Sequence, residues 1–570
     1  MDWASSRPLK EPVPNRIRLV LAILAGLLLT SAFPKIGVAG FAWVAPGAIL
    51  AVAIGVDGRQ AFRLGYVAGL AHYLASLYWL LNIPVMKLAP ITGWLALSGF
   101  LALYPALWVW LCWKIYPAKV GEASRLALEG EAGGTPTPLS SRLEELLTAN
   151  WTQRLAWTLS CAALWVTWEM VQARLLSGFP WNFLGASQYQ MLPVIQVASF
   201  TGVYGVSFLA AWFSVSLIGA AAVVLRRSQR PRQWMGEIIL PLLAVTGVAF
   251  FGVRQFAQPS APPPQVKIAL VQPSIPQRWI WSPEESSNRF AQLLQLSEEA
   301  LTNKAGKPDL LVWPEAAVPG YVRWDTNIHS AVTNLVRRHQ VWLVLGSDDA
   351  APRQGASDPF THDNFNSSFL IGPDGEFRAA YRKRRLVIFG EYIPLVRWLP
   401  FLERWTGMGS FTPGREAVPF RVPELGLKTS VLICFEDVFP HLVREDVEDD
   451  TDFLLNLTNN GWFGESAAQW QHAANAIFRA VENGLPLVRC ANNGITCWVT
   501  PQGQMREVYL PGTTDAYGTG FKVVQVPLLG GKKRESTFYR QHGDVFGWGC
   551  VAWSALVVGR VFLRRRRTDV

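Results

Sequence analysis

The sequence predicts a polytopic α-helical membrane domain joined to an α/β domain that lies outside the cytoplasm. Half of the 570 residues are hydrophobic and 26 are tryptophan, a composition typical of membrane proteins. The apolar residues crowd residues 17–256 and 546–563, whereas the stretch between them has the mixed composition of a soluble domain. Arginine clusters stand beside the apolar segments and indicate how these cross the membrane.

Eight apolar segments are long enough to cross a bilayer as helices. We therefore divide the chain into a membrane domain (1–256), an α/β domain (257–545) and a C-terminal helix with a basic tail (546–570). The first segment stays in the protein, since further spans follow it and its cleavage signal is weak. The predicted spans are 17–34, 37–56, 64–83, 89–113, 155–175, 202–225, 235–253 and 546–563.

The net charge of +10 comes from basic residues at the edges of these spans. Arg16 and Arg18 precede the first span, RRSQRPR (226–232) follows the sixth, and RRRR (564–567) follows the eighth. The positive-inside rule places these clusters in the cytoplasm, so residues 254–545 fall on the far side. Anionic lipid and nucleic acid also attract such clusters, but orientation explains all of them, and we expect no nucleic-acid partner.

The α/β domain follows a stiff proline-rich linker, QPSAPPPQ (258–265). Helical patterns at 284–303, 326–339 and 467–483 lie between short β-branched runs, which predicts sheets inside and helices outside. A PDG turn is expected at 373–375. The predicted strands are 266–272, 309–315, 341–348, 368–373, 429–436, 452–458, 485–491 and 496–501.

Three of the six cysteines, Cys434, Cys490 and Cys497, belong to the α/β domain. An odd number leaves at least one thiol free in an oxidising compartment. Cys490 and Cys497 flank an ANNGIT turn on neighbouring strands, where they either form a disulfide or are buried separately. The seven histidines show no i, i+4 pair and there is no CxxC, so we expect no metal site. The serine-hydrolase motif GxSxG and a phosphate-binding glycine loop are also missing.

Charged and thiol side chains follow the predicted strands where the strands end. Glu315 stands in LLVWPEAAVPG, Lys383 and Glu391 in AAYRKRRLVIFGEYIP, and Cys434 in SVLICFED. Each has an ordinary structural interpretation: a helix cap, a solvated basic face, an ion pair and a buried core thiol. Together they supply a nucleophile, a base and a cation for an oxyanion without using histidine.

These residues resemble the Glu-Lys-Cys triad of the nitrilase, or carbon–nitrogen hydrolase, superfamily. Glu315, Lys383 and Cys434 match the triad in order, and Glu391 matches the superfamily's second glutamate. The likeness continues through NLTNNGWFG (456–464) and QHAANAIFRAVENGLPLVRCANNG (471–494), so it covers the α/β domain. It implies that this domain is a nitrilase-like αββα sandwich.

The spans and several local motifs are similar to one branch of that superfamily, the apolipoprotein N-acyltransferases. The motifs are GFPWNFLG (178–185), VQPSIPQRWIW (271–281) and LVIFGEYIPL (386–395). Two positions depart from the family pattern: Ile388 replaces a common proline, and Phe435 replaces a frequent tyrosine, so no role of a phenol hydroxyl is carried over.

This resemblance implies an acyltransferase of the bacterial inner membrane with its catalytic domain in the periplasm and no cofactor. A phospholipid donates a fatty acyl chain to Cys434 as a thioester, and the α-amino group of a diacylglyceryl-modified apolipoprotein accepts it. Glu315 is the implied base and Lys383 the oxyanion donor. Glu391 is an implied supporting residue that orients Lys383 or the substrate amine. Glu436 either supports the site or the substrate, or belongs to a solvated loop.

A thioester must be protected from water, so the aromatic segment 392–411 is interpreted as a membrane-facing lid with Gly407 and Gly409 as its hinge. Burial in an ordinary core is the alternative interpretation. The residues expected to contact substrate or form the lid are Trp281, Trp398, Phe401, Trp405, Phe435 and Trp462.

Two other functions stay open at this point. A membrane-anchored nitrilase-type amidase would use the same triad with water as the acceptor. A transporter or receptor would use the outer domain only to bind ligand, but the predicted spans carry few charges beyond Glu169.

Overall fold

The computed structural model describes residues 14–85, 88–116, 149–225, 233–256, 263–280, 282–304, 306–353, 361–393, 410–510, 516–531 and 533–568. Several predicted features lie outside these residues: Trp281, Trp398, Phe401, Trp405, Gly407, Gly409 and the arginine cluster 226–232.

The membrane domain is a bundle of apolar helices held at close range by small residues. The helix Gly58–Ser76 begins at Asp57, whose carboxylate accepts a hydrogen bond from the Gln60 amide. It packs closely on the first helix, because a Cβ at Gly26 would lie 2.1 Å from the carbonyl oxygen of Ala68. The long helices are Asn15–Ser31, Gly58–Ser76, Leu88–Leu101, Leu103–Lys114, Trp151–Gln172, Val203–Leu225, Gln233–Phe256 and Val545–Thr568.

Four helical segments of the described chain are long and apolar enough to cross a membrane: 88–114, 203–222, 235–256 and 545–563. Helices also occupy the predicted spans 17–34, 64–83 and 155–175. The predicted span 37–56 contains only a 3₁₀ turn, Ala39–Trp43, and the 8-residue helix Ala45–Val52. Such a helix rises about 12 Å, well short of a bilayer core of about 30 Å. The count of eight spans therefore stays a prediction.

The α/β domain contains two six-stranded sheets that stack face to face. The orders are β12-β1-β2-β3-β4-β5 and β11-β10-β9-β8-β7-β6, each with three parallel strands in the middle and antiparallel strands at the edges. The strands are β1 Gln265–Gln272, β2 Leu310–Val312, β3 Trp342–Pro352, β4 His362–Ile371, β5 Phe377–Arg382, β6 Pro419–Val422, β7 Leu427–Ile433, β8 Phe453–Thr458, β9 Leu487–Ala491, β10 Cys497–Val499, β11 Met505–Arg506 and β12 Gly520–Pro527.

The layers confirm the predicted αββα sandwich. One apolar core lies between the sheets and contains Leu270, Val312, Val431 and Leu455. The helices Ser286–Leu301 and Thr326–His339 cover the outer face of the first sheet. The helix Ala468–Asn483 covers the outer face of the second sheet and belongs to a core that continues into the membrane domain.

All eight predicted strands form, and the three predicted helices lie within one or two residues of their expected ends. The strands β5, β6, β11 and β12 were not predicted from the sequence. They are the four edge strands of the two sheets. β5 and β12 are largely half-buried, so their sequences lack the continuous apolar runs of the central strands.

Cys490 and Cys497 are separate buried thiols, so the disulfide alternative is wrong. Cys497 lies opposite Arg489 in the β9–β10 ladder, and the neighbouring residue Cys490 therefore faces the other side of the sheet. The Cys490 sulfur lies between the sheets, 3.3 Å from the carbonyl oxygen of Val271. Cys497 packs in the outer core instead.

The buried amide of Gln471 joins the two domains. Its Oε1 accepts hydrogen bonds from the indole N–H groups of Trp79 (3.1 Å) and Trp181 (2.8 Å). Its Nε2 donates to the carbonyl oxygens of Pro34 (2.8 Å) and Ser76 (3.2 Å). The helix Ala468–Asn483 is thus fixed to the membrane domain by four hydrogen bonds from one side chain.

Candidate active site

Three strands bring the triad candidates to one end of the sandwich. Glu315 follows β2 after a short loop, Lys383 directly follows β5, and Cys434 directly follows β7. β2 and β5 belong to the first sheet and run in the same direction, whereas β7 belongs to the second sheet. Residues far apart in the sequence therefore meet where the ends of the two sheets face each other.

Lys383 lies at the centre of a buried ion-pair network. Its Nζ is 3.2 Å from Glu315 Oε1 and 2.8 Å from Glu391 Oε1, and only 1% of its side chain is exposed. The amide nitrogen of Asn366 donates to the same two carboxylate oxygens, at 2.9 Å each. The backbone N–H of Asn459, on the second sheet, donates to Glu315 Oε2 at 2.9 Å. Glu315 is thereby held between the two sheets.

The network keeps Lys383 charged. Burial alone would lower the pKa of Lys383, but the charges of Glu315 and Glu391 outweigh it and raise the pKa well above its ordinary value. Lys383 is therefore an ammonium group throughout the neutral range. A fixed cation in a buried site stabilises a developing oxyanion far better than it would in water.

The backbone of Cys434 adopts a left-handed conformation, with φ of 52°. A non-glycine residue pays on the order of 1–3 kcal/mol for such a conformation, so its surroundings must hold it in place. Its carbonyl oxygen accepts from Asn456 Nδ2 at 3.0 Å and lies 3.2 Å from His472 Nε2. His472 Nε2 is also 2.7 Å from Asp437 Oδ1. His472 follows Gln471, so the strained turn is joined to the membrane domain.

The Cys434 thiol is neutral at rest. Burial raises its pKa, and the negative charge of Glu315 raises it further. The ammonium of Lys383 and the Asn459 amide oppose this shift without cancelling it. Because the thiolate is the nucleophilic form of cysteine, a nucleophilic role for Cys434 would require a base.

Glu436 connects the chain around Lys383 to the chain around Cys434. Its carboxylate accepts from the backbone N–H groups of Arg384 (2.7 Å), Arg385 (3.1 Å) and Ile433 (2.8 Å), and from the Tyr381 hydroxyl (2.9 Å). The side chain is fully buried, so the alternative of a solvated loop is wrong. Its geometry is that of a positioning residue.

Replacing Glu436 with alanine is expected to destabilise the protein by about 3 kcal/mol or more, because several buried donors lose their acceptor at once. The measurement is the thermal unfolding temperature of the purified protein in detergent. Glu445→Ala is the matched control, since the Glu445 side chain is 60% exposed and lies 3.8 Å from Arg384. An unchanged unfolding temperature for Glu436→Ala contradicts the assignment.

Phe435 connects the turn at Cys434 to the membrane domain. Its ring centroid lies 6.1 Å from that of Trp181 and 5.9 Å from that of Phe179, both in the GFPWNFLG segment, and 5.1 Å from that of Phe439. Trp462 is half-buried in the turn Asn460–Phe463. A substrate contact by Phe435 or Trp462 stays a prediction.

Sequence reasoning missed Asn366, His472 and Gln471. Asn366 carries a signal that was available: it stands in NFNSS, a mostly polar stretch that directly precedes the apolar end of its buried strand. His472 and Gln471 lie in a segment that matched the superfamily, but nothing in their spacing shows that they contact the Cys434 carbonyl and the membrane domain.

Two family models match the chain: "Carbon-nitrogen hydrolase" over residues 267–518 and "Apolipoprotein N-acyltransferase N-terminal domain" over residues 25–216. The chain is 35% identical over 570 residues to the Apolipoprotein N-acyltransferase of Geobacter metallireducens, covering 99% of both chains. It is 29% identical over 426 residues to that of Chlorobaculum tepidum, covering 71% of this chain and 76% of the relative.

Among solved structures, an amidase from Nesterenkonia sp. is 20% identical, with a TM-score of 0.34 over 46% of this chain and 90% of the amidase. A mutant amidase of the nitrilase superfamily from Nesterenkonia AN1 is 19% identical, with a TM-score of 0.34 over 47% of this chain and 92% of that one. Since its identity to the Geobacter protein extends over essentially the whole chain, this protein belongs to the apolipoprotein N-acyltransferase family.

Proposed function

We propose that this protein transfers a fatty acyl chain from a phospholipid to the α-amino group of the diacylglyceryl-modified N-terminal cysteine of an apolipoprotein. The catalytic unit is the αββα domain, held against the membrane by the helices on either side of it in the sequence. The observation that supports this most directly is the buried contact of Lys383 with Glu315 beside the neutral thiol of Cys434.

In the first step Glu315 takes the proton of the Cys434 thiol, and the sulfur attacks the ester carbonyl of the phospholipid. Lys383 stabilises the oxyanion of the tetrahedral intermediate. The carbon–oxygen bond breaks, Glu315 returns the proton to the departing alkoxide, and lysophospholipid leaves. The acyl chain stays on Cys434 as a thioester.

In the second step the acceptor amine attacks the thioester carbonyl. Glu315 takes a proton from the attacking nitrogen, the carbon–sulfur bond breaks, and the Cys434 thiolate receives that proton. The product is an amide on the acceptor, and the free thiol is restored. Because the two substrates react one after the other, the reaction is ping-pong.

The test is mass spectrometry of the purified protein after exposure to phospholipid vesicles without acceptor. We expect an acyl adduct on Cys434 that persists in water, and its transfer to a diacylglyceryl peptide with a free N-terminus when that peptide is added. An adduct that hydrolyses at the same rate with and without the peptide supports the amidase alternative. The absence of any adduct contradicts the thioester mechanism.

The arginine clusters in the sequence support an orientation with the catalytic domain on the periplasmic side of the inner membrane. Reporter fusions after residue 230 are expected to give a cytoplasmic signal, and fusions near residue 300 a periplasmic one, since basic loops stay inside. A cytoplasmic signal at residue 300 contradicts this orientation.

A further inference from the structure

Asp348 lies in one row with two residues of the active-site network. In the antiparallel β3–β4 ladder Asp348 is opposite Asn366, and the Lys383 backbone N–H donates to the Asn366 carbonyl oxygen at 2.8 Å. Residues directly opposite each other in antiparallel strands put their side chains on the same face, with Cβ atoms about 4.5–5.5 Å apart. Asp348 is thus a direct neighbour of the amide that contacts both Glu315 and Glu391.

This row faces the second sheet, which carries Cys434. Trp342 and Val344 alternate with Asp348 along β3 and lie in the core between the sheets, so the inner face of β3 also contains Asp348. Asp349 has the opposite orientation: its carboxylate is buried and pairs with Arg323 and Arg382.

The Asp348 carboxylate forms no hydrogen bond or ion pair with any residue that the structure describes, although it is half-buried. The adjacent Asp349 has two arginine partners, so a shortage of cations near β3 does not explain the difference. Partly buried carboxylates without partners are costly and mark functional sites.

Asn366 supplies a second acceptor that lacks a donor. Its Nδ2 donates to both glutamates, which fixes which end of the amide is the oxygen. The oxygen, Oδ1, is buried and has no donor among the described residues, and only 6% of the residue is exposed. A buried acceptor without a donor in the protein is expected to accept a hydrogen bond from an N–H or O–H group of a bound molecule.

The charges around Asp348 also favour a ligand that carries hydrogen-bond donors. Among the described residues, the carboxylates of Glu315 and Glu391 both pair with the ammonium of Lys383, and the Asp348 carboxylate adds a third negative charge that has no ion-pair partner. A group with positive charge and several N–H donors satisfies both the excess negative charge and the two free acceptors. A primary ammonium has these properties.

We propose that Asp348 and Asn366 Oδ1 bind the α-ammonium of the acceptor's N-terminal cysteine, and that Asp348 takes the proton whose loss makes this nitrogen nucleophilic. This inference rests on the proposed function. An ammonium must lose two protons to become an amide nitrogen. Glu315 passes one of them to the Cys434 thiolate, so the other needs a separate acceptor.

The protons and bonds balance as follows. The ammonium gives one proton to the Asp348 carboxylate and becomes a neutral amine. The amine forms the carbon–nitrogen bond, its second proton moves to Glu315 and then to the Cys434 sulfur, and the carbon–sulfur bond breaks. Asp348 releases its proton to solvent when the product leaves.

Burial, together with the negative charges of Glu315 and Glu391, raises the pKa of Asp348 to about 6. The other groups around this carboxyl are Lys383 and Asn366 in its row and Tyr321, whose backbone bridges β3 at Asp348. Asp349, Arg323 and Arg382 lie on the outer face. Asp348 is thus ionised at pH 7 and able to accept a proton, and it loses this ability as the pH falls through about 6.

The experiment compares wild type with Asp348→Asn in two separate single-turnover measurements between pH 5.5 and 9. The first is formation of the Cys434 adduct from phospholipid vesicles, where we expect rates within about twofold of each other. The second is decay of the preformed adduct after addition of a diacylglyceryl peptide. We expect Asp348→Asn to slow this decay about tenfold at pH 7, because only about a tenth of an α-amino group is deprotonated in solution at that pH.

The pH dependence separates proton transfer from a structural defect. In wild type the decay rate should rise through about pH 6 and then level off. In Asp348→Asn it should keep rising through about pH 8, because only amine already deprotonated in solution can react. Asp348→Glu should restore part of the rate at pH 7.

Hydroxylamine, which is neutral at pH 7, provides a matched control nucleophile. Its attack on the preformed adduct should be equally fast in both proteins, since it has no extra proton to lose. The unfolding temperature of Asp348→Asn should equal or exceed that of wild type, because the substitution removes repulsion with Glu315 and Glu391.

If Asp348→Asn acylates the peptide at the wild-type rate and with the wild-type pH dependence, the inference is wrong. The proposed function is unaffected by that result. The inference is also wrong if Asp348→Asn fails to form the adduct, or if the substitution slows attack by hydroxylamine as much as attack by the peptide. Failure of the wild-type protein itself to form an adduct would instead reject the proposed function.

Discussion

Cys434→Ala is expected to abolish both the acyl adduct and product formation, while the protein still folds and inserts. The substitution removes the atom that holds the acyl group. The left-handed backbone conformation at this position strains alanine about as much as it strains cysteine. Loss of one sulfur atom also removes little packing energy from so large a core. The measurement is acyl-Cys434 abundance after exposure to phospholipid, together with the unfolding temperature.

Cys434→Ser makes this prediction stricter, because it keeps a nucleophilic atom. A hydroxyl is far less acidic than a thiol, and the surroundings of residue 434 already disfavour ionisation by burial and by the charge of Glu315. We therefore expect little or no turnover from serine. Cys497→Ser is a matched control on a buried thiol in the outer core, and it should still form the adduct. Normal transfer by Cys434→Ala would overturn the mechanism.

Glu315→Gln is expected to slow adduct formation by about 10²–10⁴-fold, the usual contribution of a positioned base. Glutamine has the same size as glutamate, and its carbonyl can accept the N–H of Asn366 or Asn459. Lys383 keeps its 2.8 Å ion pair with Glu391, so the oxyanion donor stays in place. The loss should therefore be in proton transfer and leave the fold intact.

The pH dependence of Glu315→Gln tests this cause directly. The pKa of the Cys434 thiol is raised by burial, so between pH 7 and 9 its thiolate fraction grows about tenfold per pH unit. Adduct formation by the variant should follow this slope, because hydroxide replaces the missing base. Wild type should depend on pH much less. A rate that is low and independent of pH in the variant would indicate a structural defect and contradict the role of Glu315.

Local patterns in the sequence were enough to predict the layered α/β domain and to select Glu315, Lys383 and Cys434 as candidate site residues. Each pattern acts over a few residues: β-branched runs form buried strands, and periodic apolar residues form helices such as Thr326–His339. The half-buried strand β5 escaped prediction because its residues lack a continuous apolar run, although Lys383 directly follows it.

The partners of these residues depend on contacts between distant strands. The local sequence around Cys434 does not show that Glu436 accepts hydrogen bonds from the backbone N–H groups of residues 384 and 385. These residues follow β5, a strand of the other sheet. The sequence also left open whether Cys490 and Cys497 form a disulfide. The register of β9 and β10 places them on opposite faces of one sheet.

The sequence by itself therefore determined the classes of element and the chemical groups that the site contains, because strand and helix patterns and side-chain chemistry are local properties. The tertiary structure decided how those groups are paired. Asp348 and Asp349 are adjacent and chemically identical, yet the pleat directs one toward the row of Asn366 and Lys383 and the other toward two arginines. Register and the packing of two sheets fix that difference, and both arise only when the whole chain has folded.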